Sequence, residues 1–445
     1  MVTLGNRAGA RLGGLLMNTK TARHLMVGSA VSALMLTSTA VQAQTVNLTM
    51  LVDNASHTVA ISEALVAAFE ADNPDISIDI ETRPGGGEGD NIVKTRLATG
   101  QMTDIFWYNS GSLLQALNPA QTLIDLSDEP YMDDIADSFK QVVSVGEEIF
   151  GVPTRPAEAG GIFYNRAIYD ELGLEIPLTW DAFMANNEAI AAAGHTPVIQ
   201  TYRDTWTSQL FVLADFYNVL AQEPDWAERY TNNEAKYATS AIALRGFEKL
   251  AEVHDAGFLN ADFGAAGYED GLRMVVEGEG AHYPMITFAI PAISDTFGDA
   301  IENVGFFAQP GDSAEENGLT VWMPAALYIP QTTSDEEAAR RFLAFVASPE
   351  GCAVQNEAVA VNGPYLINGC ELPEDVAGVV RDLLPYFEEG GNNAPALEFL
   401  SPIKGPLLEQ LTVEVGSGIR PPQDAAALYD QDVVRQAQQL GLDGW

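Results

Sequence analysis

The chain has 445 residues, of which 62 are acidic and 22 basic, giving a formal net charge of −40. A single hydrophobic core stops growing near roughly 250–300 residues, so this length favours two lobes. The acidity disfavours nucleic acid, anionic lipid and phosphorylated ligands as partners. A neutral or cationic small ligand suits it better, although the charge also fits an adaptation to salty surroundings.

Residues 1–43 have the features of an export signal. Lys20 and Arg23 precede the apolar run 25–36, and small residues lead to a cleavage site after Ala43. No cysteine follows that site, so we expect a free periplasmic protein without a lipid anchor. Met17 would begin a signal of more ordinary length. An uncleaved anchor is the alternative, but the apolar run is too short to span a bilayer.

Strands and helices alternate along the first part of the remaining chain. Apolar spacing predicts strands at 46–52, 76–80 and 104–108, and helices at 59–71, 91–99 and 112–117. This order is typical of the α/β class, with a mainly parallel sheet covered by helices on both faces. Ligands bind beyond the carboxyl ends of such strands. A glycine-rich loop at 84–88 and several polar residues lie at those ends.

A second α/β unit follows. We predict helices after the caps Thr179 and Ser334, and further elements as a helix at 242–257, one strand at 318–330, and helices at 407–415 and 422–441. Cys352 and Cys370 are 18 residues apart and would form a disulfide in an oxidising compartment. Two unpaired buried thiols are the alternative.

Catalytic and metal motifs are missing from the sequence. The histidines after the signal, His57, His195, His254 and His282, do not have zinc-hydrolase spacing, and no nucleophile elbow or phosphate loop occurs. The acidic stretch 125–137 lacks the calcium-loop pattern and reads as a solvated face. We therefore expect no cofactor and no metal. The sequence does not decide whether two carboxylates form a pair suited to glycoside hydrolysis.

Several ordered segments carry a family resemblance. They are Thr103-Asp104-Ile105, Gly151-Val152-Pro153, Gly161-Ile162-Phe163-Tyr164-Asn165, Leu172-Gly173-Leu174, Ile176-Pro177-Leu178-Thr179-Trp180-Asp181, Glu277-Gly278-Glu279-Gly280-Ala281 and the closing Leu440-Gly441-Leu442-Asp443-Gly444-Trp445. Together they resemble the extracellular solute-binding proteins of carbohydrate ABC importers, the group that contains the maltose-binding protein. The acidity and the paired cysteines depart from many members.

The resemblance implies a clam-shell of two α/β lobes that closes on a ligand without catalysing a reaction. Lobe 1 would comprise 44–153 plus 328–388, and lobe 2 would comprise 154–327 plus 389–445. Crossing segments are expected at 152–161, 322–331 and 385–395. The implied partners are a mono- or oligosaccharide and the membrane permease of an ABC importer, with the protein itself a monomer.

A sugar ring needs flat aromatic side chains against its C–H faces and planar polar groups around its hydroxyls. From the resemblance, the candidate ligand residues are Tyr108, Glu158, Trp206, Gln209, Thr287, Phe288, Trp322 and Lys404. From their position near strand ends, a helix start or the first crossing, we add Asp53, Asn54, His57, Trp107, Asn109, Ser110 and Arg155.

Structural roles are the alternative for several of these residues. Trp107, Tyr108 and Trp322 would serve as packing, Glu158 as a solvated hinge acid, and Ser110 as a helix cap.

Two other functions remain open at this stage. The ligand could be a glycerol phosphate diester, a polyamine, a sulfonated sugar or a uronate, the last because Arg155 would tolerate an acid group. The protein could also be a secreted glycosidase, which would need two carboxylates facing each other across the cleft.

Overall fold

The computed structural model describes residues 45–323, 325–388 and 391–445. The expected export signal lies outside these residues. The strands are β1 (Val46–Asp53), β2 (Ile76–Arg83), β3 (Ile105–Asn109), β4 (Ser144–Val145), β5 (Glu148–Ile149), β6 (Gly151–Pro153), β7 (Glu158–Asn165), β8 (Thr196–Val198), β9 (Gly280–Ile286), β10 (Val304–Ala308), β11 (Leu319–Trp322), β12 (Ala325–Tyr328) and β13 (Asn393–Pro395).

The helices alternate with these strands from β1 to the helix after β3, and runs of helices or of strands follow further along the chain. They are α1 (Ser56–Asp72), α2 (Gly86–Ala98), α3 (Gly111–Gln115), α4 (Pro119–Thr122), α5 (Asp137–Val142), α6 (Arg166–Leu172), α7 (Trp180–Ala193), α8 (Leu210–Leu213), α9 (Phe216–Gln222), α10 (Trp226–Thr231), α11 (Ala241–Asp255), α12 (Tyr268–Glu277), α13 (Ala289–Phe297), α14 (Glu336–Val346), α15 (Pro349–Ala358), α16 (Gly378–Leu383), α17 (Leu397–Leu400), α18 (Leu408–Gly416) and α19 (Pro422–Gln439).

Two sheets define two lobes, as the α/β clam-shell prediction requires. The first sheet has the order β2-β1-β3-β12-β6, and the second has the order β13-β11-β7-β9-β8, with β10 also paired to β7. In the first sheet, β1 runs parallel to β2 and β3, whereas β12 runs antiparallel to its neighbours β3 and β6.

The second sheet is mostly antiparallel, whereas the mainly parallel sheet was predicted from the strands of the first lobe. β7 pairs antiparallel with β9, β10 and β11, and only β8 with β9 and β11 with β13 are parallel. The apolar composition of a strand shows that it is buried on both faces, but it does not state the direction of its neighbour.

Two short links carry the chain between the sheets. β6 ends in the first sheet and β7 begins in the second, so residues 154–157 form the first crossing. The second crossing lies between Trp322 and Ala325, because β11 belongs to the second sheet and β12 to the first. The predicted single strand at 318–330 is therefore two strands in different sheets.

The third change of lobe comes earlier than 385–395. α16 packs on β10 of the second sheet: Asp382 accepts a hydrogen bond from the Phe306 N–H (3.0 Å) and pairs with Arg166 (2.5 Å). Residues 378–383 thus belong with the second sheet, not with lobe 1 as the boundary at 388 had placed them. Lobe 1 also resumes at β12, from 325 rather than 328.

Helix starts show where local patterns succeed and fail. The hydroxyl of Thr179 accepts from the Ala182 N–H, so that predicted cap is confirmed. Ser334 is not a cap: Asp335 accepts from the Ala338 N–H, while Ser334 donates to Asp104. α2 begins at Gly86, inside the predicted glycine-rich loop.

Each lobe has a dense core. The second lobe buries Trp180, Trp226 and Tyr230 almost completely, together with a charged pair, Asp215 and Lys249, whose side chains are 2% and 1% exposed. A disulfide joins Cys352 to Cys370 in the first lobe. No helix among the described residues combines the length and the apolar composition that a membrane span needs.

Candidate functional site

Polar strand ends of the two lobes meet around the crossings. Asp53 and Arg83 are register partners at the ends of β1 and β2, and β3 ends beside them at Asn109. From the other lobe come the start of β7 and the end of β9. The Ser110 hydroxyl donates to the carbonyl of Met323 in the second crossing (2.6 Å). Open α/β sheets place ligands at such an edge.

The first crossing holds a buried ion pair. Arg155 Nη2 lies 3.2 Å from Glu158 Oε1, and the two side chains are 8% and 3% exposed. Asn362 Nδ2 donates to the same oxygen (3.2 Å). Burial raises the pKa of Glu158, and the Arg155 charge and the Asn362 hydrogen bond act against this. Glu158 is therefore a fixed, buried group and not a solvated hinge acid.

Several buried polar atoms of this pair and of its surroundings have no hydrogen-bond partner among the described residues. They include Nε and Nη1 of Arg155 and the hydroxyl of Tyr268. The Tyr268 hydroxyl has a raised pKa, chiefly through burial, and the Glu158 charge contributes. Unsatisfied buried donors cost roughly 1–3 kcal/mol each, so a hydroxyl-rich ligand or ordered water would gain by satisfying them.

An aromatic cluster stands on the second-lobe side. The rings of Trp206, Tyr268 and Phe288 have centroids 5.3–5.8 Å apart and come from three elements: the 3-10 helix at 205–209, the start of α12, and the turn after β9. Trp206 and Phe288 remain partly exposed. Flat, half-exposed rings beside unpaired polar atoms suit the C–H faces of a sugar.

Thr287 and Gln209 belong to the same segments as these rings, and both are buried. Thr287 is fully buried, and its hydroxyl accepts from the Ala159 N–H (3.0 Å), which joins the end of β9 to β7. Its hydroxyl is thus engaged within the protein. Gln209 is 8% exposed.

Trp107 and Tyr108 point to different surroundings on the first-lobe side. Trp107 is 8% exposed, and the guanidinium carbons of Arg83 and Arg155 lie 5.7 and 5.9 Å from its ring centroid. Tyr108 is fully buried, 5.6 Å from Arg83. Both rings are therefore buried, and only a small part of Trp107 is accessible.

Trp322 and Lys404 share one carboxylate. Trp322 Nε1 donates to Glu398 Oε1 (2.8 Å), and Lys404 Nζ lies 2.5 Å from Glu398 Oε2. Burial raises the pKa of Asp90 on α2, and the Lys404 charge is among those that oppose the rise. Lys404 of the second lobe therefore lies near a first-lobe acid, across the boundary between the lobes.

The remaining candidates differ in exposure, and Asp53 among them is buried. Asp53 Oδ1 accepts from the Ala55 N–H (2.9 Å), and Asn54 is exposed. His57, on the first turn of α1, is half-buried, and its pKa is lowered to about 3 by burial and by the Arg155 charge. Asn109 lies partly exposed at the end of β3.

Sequence reasoning missed five residues of this region: Arg83, Asp90, Tyr268, Asn362 and Glu398. The sequence did contain a signal for Arg83, because it is one of few basic residues and directly precedes the glycine-rich loop that was placed at a strand end. The Asn362–Glu158 contact joins positions 204 residues apart and has no local signal. No group of three or more potential metal ligands occurs within the described ranges.

Two α/β lobes joined by short crossings, with unpaired polar groups and aromatic rings between them, define a two-lobed binding protein. A profile of the bacterial extracellular solute-binding proteins matches residues 54–351. The chain belongs to that family, as its sequence segments predicted.

Individual relatives support the same placement. The multiple sugar-binding protein of Streptococcus mutans is 25% identical over 307 residues, which are 67% of this chain and 71% of the relative. An uncharacterised ABC transporter extracellular-binding protein of Pyrococcus horikoshii is 24% identical over 308 residues, 65% of this chain and 64% of its own length.

Solved structures show the same fold. The solute-binding protein RafE in complex with raffinose superimposes with a TM-score of 0.74 at 22% identity, covering 89% of this chain and all of its own. A chitin oligosaccharide binding protein has a TM-score of 0.75 at 22% identity and the same coverage of both chains.

Proposed function

We propose that this protein is the substrate-binding component of an ABC importer and captures a mono- or oligosaccharide between its lobes. The observation that carries the proposal is the juxtaposition, at the first crossing, of the Arg155–Glu158 pair with the half-exposed rings of Trp206 and Phe288. Family membership and the sugar ligands named for its relatives support it.

The binding mechanism follows from the two kinds of group. Rings of the second lobe would cover the C–H faces of the sugar, while Glu158 and Arg155 would exchange hydrogen bonds with its hydroxyls. Glu158 and the rings belong to the second lobe, and Arg155 lies in the first crossing. A ligand held by these groups that also touches first-lobe groups such as Asp53 would bind the closed form better and shift the protein toward it. The permease would then recognise the closed shape.

Location, oligomeric state and chemistry complete the proposal. The protein would act in the periplasm as a monomer after removal of residues 1–43, and it would release its ligand unchanged. Incubation with the bound sugar, followed by chromatography of the released material, tests the last point: recovery of intact sugar is expected, and any cleavage product would establish an enzyme.

Calorimetric titration of the purified protein against a sugar panel tests the main proposal. The panel contains glucose, galactose, raffinose, stachyose and chitin oligosaccharides. We expect at least one member to bind with micromolar or better affinity, about −8 kcal/mol, and to raise the melting temperature. Absence of heat and of a melting shift with every sugar would reject the proposal.

Arg155 favours one second candidate, an acidic sugar. Two of its nitrogens, Nε and Nη1, make no hydrogen bond to the described residues, and each could donate to an oxygen of an acidic ligand. Adding galacturonate and glucuronate oligosaccharides to the panel separates the two candidates. Tighter binding of these than of their neutral counterparts, weakening with added salt, would favour the acidic ligand.

A further inference from the structure

The residues that follow α15 form a strap (residues 359–368) fixed to the first lobe at both ends. The strap begins where α15 ends. Two residues beyond the end of the strap, Cys370 forms the disulfide with Cys352 on that helix. Between these points the Leu366 carbonyl accepts from the Ala136 N–H (2.9 Å), and the Asn368 N–H donates to the Asp134 carbonyl (2.6 Å).

The strap also contacts the backbone of the first crossing. The Ala157 N–H donates to the Pro364 carbonyl (2.8 Å). A Cβ atom on Gly363 would lie 1.9 Å from the Ala157 carbonyl oxygen, so the two backbones approach too closely for any side chain at 363. The crossing that carries Glu158 is therefore seated on a segment closed by the disulfide.

Asn362 extends this contact to the Glu158 side chain. Its Nδ2 and Arg155 Nη2 both lie 3.2 Å from the same oxygen, Oε1, and Asn362 is 3% exposed. Oε2 makes no hydrogen bond within the described part of the chain. The hydrogen bond from Asn362 and the ion pair with Arg155 both hold Oε1, which restricts the rotation of the carboxylate and leaves the second oxygen to accept from another partner.

We propose that Asn362 is a positioning residue for ligand binding: it orients Glu158 so that Oε2 meets a sugar hydroxyl, and the Cys352–Cys370 disulfide holds Asn362 in place through the strap. The proposal rests on the proposed function, since it assigns Glu158 to the ligand. It makes sugar affinity depend on a disulfide outside the cleft.

The test compares Asn362→Leu with Asn368→Leu. Leucine has the same number and branching of side-chain heavy atoms as asparagine but no donor, and Asn368 lies in the same strap with an exposed side chain. Titration with the tightest-binding member of the raffinose, stachyose and chitin-oligosaccharide panel should show at least tenfold weaker binding for Asn362→Leu and less than twofold change for Asn368→Leu. Melting curves confirm that both variants are folded.

Reduction separates the role of the disulfide. Treating the wild-type protein with tris(2-carboxyethyl)phosphine should weaken binding at least threefold, and the Cys352→Ser/Cys370→Ser variant should match the reduced wild type. Asn362→Leu should lose little further affinity on reduction, because the disulfide acts through that side chain. Equal losses on reduction in wild type and Asn362→Leu would overturn this link.

A measurement on the ligand-free protein tests the role of Asn362 separately from the proposed sugar binding. Carbon-13 NMR titration of Glu158, which faces Arg155 and the Tyr268 hydroxyl as well as Asn362, should give a higher midpoint in Asn362→Leu than in wild type. An unchanged midpoint, or unchanged affinity, would overturn the positioning role. If wild type binds no panel sugar, the proposed function fails, and with it the ligand part of this inference.

Discussion

Trp206 is the residue on which the sugar-site interpretation can be tested most directly. It is half-buried, and it touches the rings of Tyr268 and Phe288 without entering the central core of its lobe. A fully buried aromatic side chain costs about 3–5 kcal/mol of folding free energy when cut to alanine, whereas a half-exposed one costs less. Its main contribution should therefore be to ligand binding.

We expect Trp206→Ala to weaken sugar binding at least tenfold, measured by calorimetry, with only a small change in melting temperature. Trp445→Ala is the matched control, since Trp445 is also partly buried but packs near α10, where its Nε1 donates to the Thr231 carbonyl. A large loss of stability with retained affinity would place Trp206 in the core instead.

At the scale of single residues, the sequence could identify candidate site residues, but it could not give their burial or their hydrogen-bond partners. Sequence reasoning identified Glu158, Trp206 and Trp107 as candidates. It could not show that Glu158 is buried or that the Thr287 hydroxyl accepts from the Ala159 N–H. Burial and hydrogen bonding depend on residues more than 100 positions away in each of these cases. Local spacing carries no information about such partners.

At the scale of the element, the packing of β9 against α6 and α7 depends on a neutral histidine. His282 is fully buried, with Nε2 2.8 Å from the Tyr169 hydroxyl and Nδ1 2.9 Å from Asn187 Oδ1. The pattern fits a neutral ring that donates to Asn187 and accepts from Tyr169. Burial lowers the pKa of His282 from 6.5 to about 3.

This lowering gives a pH dependence with a definite sign. The unfolded chain binds the proton near pH 6.5 and the folded one only near pH 3, so the stabilisation is complete above 6.5 and is lost as pH falls toward 3. Each pH unit in that window removes up to about 1.4 kcal/mol of the free energy of unfolding.

Urea unfolding from pH 7 to pH 4 should therefore show a steeper loss of stability in wild type than in His282→Gln. His57 is present in both proteins, so the difference between them reports His282 alone. Parallel profiles for the two proteins would contradict the assignment.

The ends of helices could be predicted where residues close in sequence determine them, through a capping side chain or through apolar spacing. Thr179 caps α7, and α11 carries the apolar spacing of a half-buried helix over nearly its predicted range. The start of α2 was missed because it depends on backbone packing that apolar spacing does not report: a Cβ atom on Gly89 would lie 1.9 Å from the Pro84 carbonyl oxygen.

For the whole molecule, the spacing of the lobes is set by close contacts as well as by the crossings. Gly111 on α3 of the first lobe has φ +61°, and a Cβ atom there would lie 2.5 Å from the Glu398 carbonyl oxygen beside α17 of the second lobe. A side chain at this position would hold the lobes apart. The cost would fall on the closed form, which the ligand requires.

Gly111→Ala should weaken sugar binding at least fivefold and leave a larger radius of gyration in X-ray scattering at saturating sugar. Gly146→Ala is the control, because Gly146 has φ +63° but no atom within 4 Å of the added Cβ. It therefore carries the same backbone strain without the contact between lobes. Equal losses of affinity in both variants would assign the effect to strain.

The position of β12 also bears on how the protein is made. This strand lies between β3 and β6 in the first sheet, although more than 150 residues of the second lobe separate it from β6 along the chain. A polypeptide emerging from a ribosome or a translocation pore cannot complete that sheet until about three-quarters of its length has appeared. Late closure would keep the nascent chain loose enough for threading, and it would give export machinery a long interval in which to engage it.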